Sequence, residues 1–263
     1  MSLKAQTGER QALSEQPPTF PALLSRLAIA GVIGGVLSGA WALMVTERAL
    51  EPALAIEAAR PADSPEHAVE VVSRTTQLVG GFLGTVIAAV VFSVVVAVVY
   101  AATRHRLPGR TDVGRMATLA AVGFAIFALL PAVKIPANPP AVGDPNTVST
   151  RTGIYTAVLI CGVITALLVF FLVSTLRRHG AGTATIAVLG TVATVALVTL
   201  TVLLVPDSPD TIPPDVPAAV VWDFRLASLG QLAVLWASLG LAGGCLVDRM
   251  SAPHAGAEDL TRR

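Results

Sequence analysis

Six stretches of this chain, residues 27–45, 78–102, 116–133, 153–173, 185–205 and 226–247, contain no charged side chain at all. They cover 126 of the 263 residues, so all 18 Lys+Arg and all 17 Asp+Glu fall in the remainder. A single apolar run of this length can be the buried helix of a soluble protein. Six of them, in a chain that is 54% hydrophobic and 13% charged, require that about half the chain sit in a medium that penalises charge. The runs are continuous, whereas a transmembrane β-barrel shows alternating segments of about ten residues. In lipid the backbone must satisfy its own hydrogen bonds, which favours the helix despite the abundance of Val and Ile. The expectation is an all-α polytopic membrane helix bundle of about six transmembrane helices.

Counting cations in the connections sets the orientation. With the N-terminus cytoplasmic, 12 of the 18 Lys and Arg lie inside, and 6 cations face 11 acids outside, a net −5 there. The chain therefore reads as a cytoplasmic N-terminal tail (1–26) expected to be disordered, a transmembrane domain (27–247) and a cytoplasmic C-terminal tail (248–263). It is expected in the cell inner (plasma) membrane, multi-pass, with the bilayer as its surroundings and no nucleic-acid partner. Ala40-Trp41-Ala42 has the small-x-small form of a signal cleavage site, but the polar lead is long and the apolar run continues beyond it, so the first span is expected to be retained. Cys161 and Cys245 both fall in apolar runs and support neither a disulfide framework nor a thiolate metal cluster.

The outer connections are long, acidic and proline-rich. In the first, residues 46–77 read as one or two short helices: Pro52 tolerates a helix start better than an interior, and Ser64-Pro65-Glu66 has the cap, the first-position proline and the acid of a second start. Glu66 and Glu70 share a face, with His67 three residues before Glu70. That arrangement is either a solvated helix with a Glu70 to Arg74 ion pair or part of a divalent-cation site, which needs more ligands than one helical turn supplies. The third connection, 134–151, carries Pro136, Pro139, Pro140 and Pro145 and is expected to be stiff and without helix or strand. The fifth repeats the style with five prolines beside Asp207, Asp210, Asp215 and Asp223. From there Arg225, Ser228 and Gln231 descend on one helix face into the last apolar run, a polar stripe that should face other helices or water. The three outer connections are expected to assemble, with Arg74, Lys134 and Arg225 pairing with Glu51, Glu57, Asp144 or Asp223. Small-x-x-x-small patterns at Gly31, Gly35 and Gly39, at Gly80 and Gly84, and at Gly240 and Gly244 mark close helix approach.

The string Lys134-x-Pro136-Ala137-Asn138-Pro139-Pro140-Ala141-Val142-Gly143-Asp144-Pro145, with Phe224-Arg225-Leu226-Ala227-Ser228-Leu229-Gly230-Gln231 and Trp236, resembles the CbtA family, the probable cobalt transporter A subunits. Glu51-Pro52, Glu57 and Val72-Ser73-Arg74-x-x-Gln77 resemble its first outer loop. The resemblance runs over about residues 25–247. The family is usually described with about five spans, which makes the third run, 116–133, the one in excess. The resemblance implies cobalt uptake alongside a small single-span B subunit carrying histidines, with cobalt(II) as the transported ion, no permanently bound cofactor and no catalytic residue to carry over. On this reading the candidate metal-binding side chains are Glu51, Glu57, Glu66, His67, Glu70 and Asp144. Arg74, Lys134, Asn138, Arg225, Ser228 and Gln231 are candidates for a transport path or for loop packing. There is no P-loop and no acid or base in mid-span, so ATP hydrolysis and an intramembrane proton relay have no residues here. Two other classes stand beside transport. A non-transporting assembly or scaffold subunit accounts for the glycine faces and rigid loops. A membrane enzyme would use Glu51, Glu57, Arg74, Lys134, Asp144, Arg151, Asp223 and Arg225, a set without an evident nucleophile and base.

Overall fold

The computed structural model describes residues 19–60 and 73–251. The helix start expected at Ser64, Pro65 and Glu66, the outermost parts of both tails, and Glu66, His67 and Glu70 lie outside the described residues. Among the described residues there is no strand, and six helices are long and apolar enough to cross a membrane. We number them α1 (Phe20–Ala59), α2 (Arg74–Thr103), α3 (Asp112–Lys134), α4 (Pro145–Arg178), α5 (Thr183–Leu204) and α6 (Ala218–Ser251).

Every helix except α5 outruns its charge-free stretch at both ends, because intrahelical hydrogen bonding does not stop where the hydrocarbon does. α1 is 40 residues long, about 60 Å at 1.5 Å per residue, against a hydrocarbon core of about 30 Å. It opens at Phe20, inside the stretch read as a tail, and carries its C-terminal portion well beyond the apolar run. Pro52 was expected to favour a helix start, yet it lies inside the α-helical part Glu47–Ala59. The cost of an interior proline, about 3 kcal/mol, is offset by helix-forming neighbours and by packing: Ala53 is fully buried and Ile56 packs on the apolar cluster described below. A π-helical turn, Ala42–Thr46, precedes this part, and a second one, Ala125–Leu129, interrupts α3. The third run, suspect on family grounds, forms a span like the others: α3 is 23 residues long.

By internal contacts the chain divides into two compact units. The first takes the described parts of Met1–Gly39, Val79–Ala121 and Val234–Arg263. Small residues let its helices touch. A Cβ on Gly35 would stand 2.7 Å from Val86 Cα, and one on Gly244 2.6 Å from Val113 Cα. Gly31, Gly39 and Gly240 are equally crowded, whereas Gly80 and Gly84 have nothing within 4 Å and pack against no described residue. Phe92 and Trp236 meet edge to face at 5.1 Å. At one end the buried Asp112 carboxylate accepts the Tyr100 hydroxyl at 2.6 Å and Arg115 Nη1 at 3.2 Å, with Arg104 Nη2 at 3.5 Å. The amide of Asp112 donates to Asp248 Oδ1 at 3.1 Å.

The second unit takes Ala40–Leu78 and Val122–Ala233. α3, α4 and α5 pack there around Leu130, Ile154, Val158 and Val205, and Gly162 lets α4 approach Ile126. Elsewhere its apolar side chains point outward; Phe171, Leu203 and Leu204 are 69%, 75% and 72% exposed. Apolar surface on that scale is ordinary against lipid tails and a liability in water.

Candidate functional site

The α3–α4 and α5–α6 connections and the C-terminal part of α1 meet within the second unit, in a cap built on its own small apolar core. Ala141 and Val142 from the α3–α4 connection pack on Val216 and Val221, at the far end of the α5–α6 connection and the start of α6, with Ile56 of α1 against them. Proline makes this arrangement possible. Residues 135–144 and 205–217 carry no helix beyond isolated turns, and their fixed φ values keep two extended segments from folding back on themselves. Ala141 adopts φ 66°, a left-handed conformation uncommon for a residue with a Cβ. It is held there by burial on one side and by its carbonyl, which accepts Arg60 Nη2 at 2.9 Å, on the other.

Charge then ties the connections together. Asp210 is the hub: its carboxylate, 3% exposed, accepts Asn138 Nδ2 at 3.0 Å, Thr147 Oγ1 at 2.8 Å and Arg151 Nη1 at 3.2 Å. Asn138 passes the link on, for its Oδ1 accepts Arg225 Nη2 at 2.8 Å while Arg225 Nε donates to the carbonyl of Ala137 at 3.3 Å. Lys134, nearly buried, reaches Asp207. Arg60 binds Asp215 with two nitrogens, Nε to Oδ2 at 3.1 Å and Nη2 to Oδ1 at 3.3 Å. Those two hydrogen bonds hold the Asp215 carboxyl below its ordinary value. Arg74 pairs with Glu47 and donates to Gln77 at 3.2 Å. Deeper on α6, Trp41 Nε1 donates to the carbonyl of Ala227 at 2.9 Å, and the Thr46 hydroxyl donates to Gln231 Oε1 at 3.3 Å.

The cap thus joins the two proline-rich connections to the C-terminal part of α1, through other acids than expected, while residues 61–72 of the first connection lie outside the described residues. Arg74 and Lys134 pair with Glu47 and Asp207, and Arg225 holds an amide and a carbonyl where a carboxylate was foreseen. The reason is reach. Glu51 is exposed and Glu57 half-buried on α1, and Asp144 spends its carboxylate at home, accepting the amide and the side chain of Asn146 at 2.8 and 2.9 Å to cap the turn Pro145–Thr147. Of the polar stripe, Arg225 meets Asn138 and Gln231 meets Thr46, while Ser228 is half-buried on α6. Among the described residues no three His, Cys, Asp or Glu side chains come together as a metal-holding group. Arg60, Asp207, Asp210 and Asp215 were missed as site residues. A signal for them existed: residues 205–217 hold three acids and no cation, and residues 134–151 hold two cations and one acid, a complementary pair of segments.

Six long apolar helices define a multi-pass membrane protein. Residues 20–248 match the family model described as Probable cobalt transporter subunit (CbtA), and the chain belongs to that family. The match takes in the whole of the cap and nearly the full length of all six helices. The family is one of transporter subunits and not of enzymes, and the word subunit implies partner proteins in a transporter complex. No curated protein and no solved structure matches the chain.

Proposed function

We propose that the chain is the multi-pass subunit of a cobalt(II) uptake system in the cell inner membrane, with both termini cytoplasmic, the cap outside, and a small single-span partner that carries histidines. The observation that carries this reading is the family match across all six spans. The excess of 11 acids over 6 cations on the cap side supports it, because a face of net −5 raises the local concentration of a divalent cation. Cobalt(II) takes imidazole readily, and a partner that carries histidines would supply such donors. Cobalt is cargo here and not a resident cofactor.

The test is cobalt accumulation in cells with and without the chain, under metal limitation and with the partner present. Deletion is expected to lower it, and unchanged cobalt and nickel accumulation would reject the reading. Orientation is checked with single cysteines: one at Thr211 should react with an impermeant thiol reagent added outside intact cells, and one at Gly109 should not. A scaffold reading draws on the commitment of Asp207, Asp210 and Asp215 to cations of the same chain. Replacing Asp144 or Gln231 by alanine separates the two, since transport through this chain predicts reduced uptake by an inserted protein and a scaffold predicts none.

A further inference from the structure

A cleft of about 490 Å³ opens within the second unit, between the outward half of α1 and the first turns of α6. Its lining is ordered along both helices. Trp41, Met44, Val45 and Arg48 follow one another on one face of α1, and Arg48 is nearest the cap. On α6, Asp223 is nearest the cap and Leu226 lies one turn deeper. The deep end is therefore apolar and the mouth carries one cation and one anion. The floor is fixed: the Trp41 indole is held by its bond to Ala227 and lies so close to Gly230 that a Cβ there would stand 2.6 Å from Cζ2.

The two charges at the mouth are unlike the others of the cap. Arg60, Arg74, Lys134, Arg151 and Arg225 are each committed to a carboxylate, amide or carbonyl. Arg48 and Asp223 are exposed, and among the described residues neither has a hydrogen-bond or ion-pair partner, nor do they pair with each other. Met44 and Leu226, below them, are 58% and 50% exposed. An open apolar slot at the end of two membrane spans, with separated positive and negative groups at its polar edge, matches an amphiphile whose headgroup carries both signs.

We propose that this cleft binds a phospholipid with an anionic phosphodiester and a primary ammonium, that is, phosphatidylethanolamine. Arg48 takes the phosphate, for which a guanidinium is suited. Asp223 takes the ammonium, which donates hydrogen bonds that a quaternary choline lacks. The upper part of an acyl chain lies over Met44, Val45 and Leu226 against the Trp41 ring.

The experiment uses the full chain purified in detergent and mixed with phosphatidylethanolamine, phosphatidylcholine or phosphatidylglycerol of identical acyl chains, with bound lipid counted by native mass spectrometry. The ethanolamine lipid is expected to be retained about threefold more than either other lipid, the size of one exposed ion pair. Asp223→Asn should bring it down to the choline level and leave the choline lipid unchanged. Arg48→Gln should lower all three, and so should Ala49→Trp, which fills the cleft and leaves both charges in place. Equal retention of ethanolamine and choline lipids by the parent chain would overturn the proposal, as would tighter glycerol than ethanolamine lipid or an Asp223→Asn variant that binds like the parent. A dimer mass free of lipid would assign the cleft to a second copy and overturn it as well.

Discussion

Removing the carboxylate of Asp210 should loosen the whole cap. Three donors converge on it from the α3–α4 connection and the start of α4, and at 3% exposure it has almost no water to replace them. Breaking a fully buried pair by deleting one partner costs about 3–5 kcal/mol. Arg151 keeps 30% of its side chain in solvent and rehydrates in part, and Asn138 keeps Arg225, so about 2–4 kcal/mol is expected for Asp210→Ala. Asp210→Asn, which keeps a neutral acceptor, should lose about half of that. At 1.4 kcal/mol per factor of ten, the open form of the cap rises roughly 30- to 1,000-fold in Asp210→Ala. Val216 is the reporter, because it is 5% exposed in the apolar core of the cap. With Cys161 and Cys245 replaced by alanine, a cysteine at Val216 is labelled only when the cap opens, and its labelling rate follows the open population when closing is fast. A cysteine at the exposed Thr211 is the control and should label at the same rate in both backgrounds. A change below about threefold at Val216 in Asp210→Ala would show that the apolar core, and not the hub, holds the connections together.

Three further outcomes follow from contacts in the two units. Because Arg60 depresses the folded Asp215 carboxyl below its ordinary 3.8, the tie between α1 and the α5–α6 connection is complete above that value and lost only as pH falls through the lower folded one. Hydrogen exchange of residues 205–217, corrected for intrinsic rates, should therefore be flat from pH 8 to 5 and rise below about pH 4, and Arg60→Gln should make that step smaller. Gly35→Ala and Gly244→Ala should each destabilise by about 1–3 kcal/mol, since the added Cβ meets backbone at 2.7 and 2.6 Å. Gly84→Ala, with nothing within 4 Å, should leave the melting temperature unchanged or slightly raised. Tyr100→Phe strips one hydrogen bond from the buried Asp112 and should cost about 1–2 kcal/mol, read as a lower melting temperature in detergent.

How much of this could be read from residues depends on the range of the force concerned. The six spans were legible because lipid excludes charge along a whole segment, so the signal accumulates over about twenty residues. Glycine faces were legible only in part: Gly31, Gly35 and Gly39 share a spacing pattern with Gly80 and Gly84, yet only the first set meets another helix. Spacing fixes which residues share a face and says nothing about whether a neighbour stands opposite. The run past Pro52 was illegible for a related reason, since the burial of Ala53 and the packing of Ile56 that offset the proline involve residues far away in sequence. Pairing within the cap was foreseen as a fact and missed in its partners. Side chains pair with what the fold brings within 4 Å, and Asp207, Asp210 and Asp215 are placed by the path of a proline-rich connection that no periodicity describes.

Pairing in the cap also sorts its acids by what they remain free to do. Glu47, Asp207, Asp210 and Asp215 each hold an arginine or lysine. Among the described residues Glu51, Glu57, Asp144 and Asp223 hold none. Each pair removes one charge of each sign, so the net −5 counted over residues 46–77, 134–151 and 206–225 is unchanged, and with it their long-range attraction for cations. Capture at short range is a different matter. A divalent ion that took Asp210 would have to displace Arg151 and break the bonds from Asn138 and Thr147, and so would dismantle the cap that positions it. An ion that settled on Glu51 or Glu57 of α1, or on the exposed Asp144, would displace no cation of the chain. The paired acids are thus tied to cations of the chain, whereas an ion at Glu51 or Glu57 would compete with none, and one at Asp144 only with the bonds from Asn146.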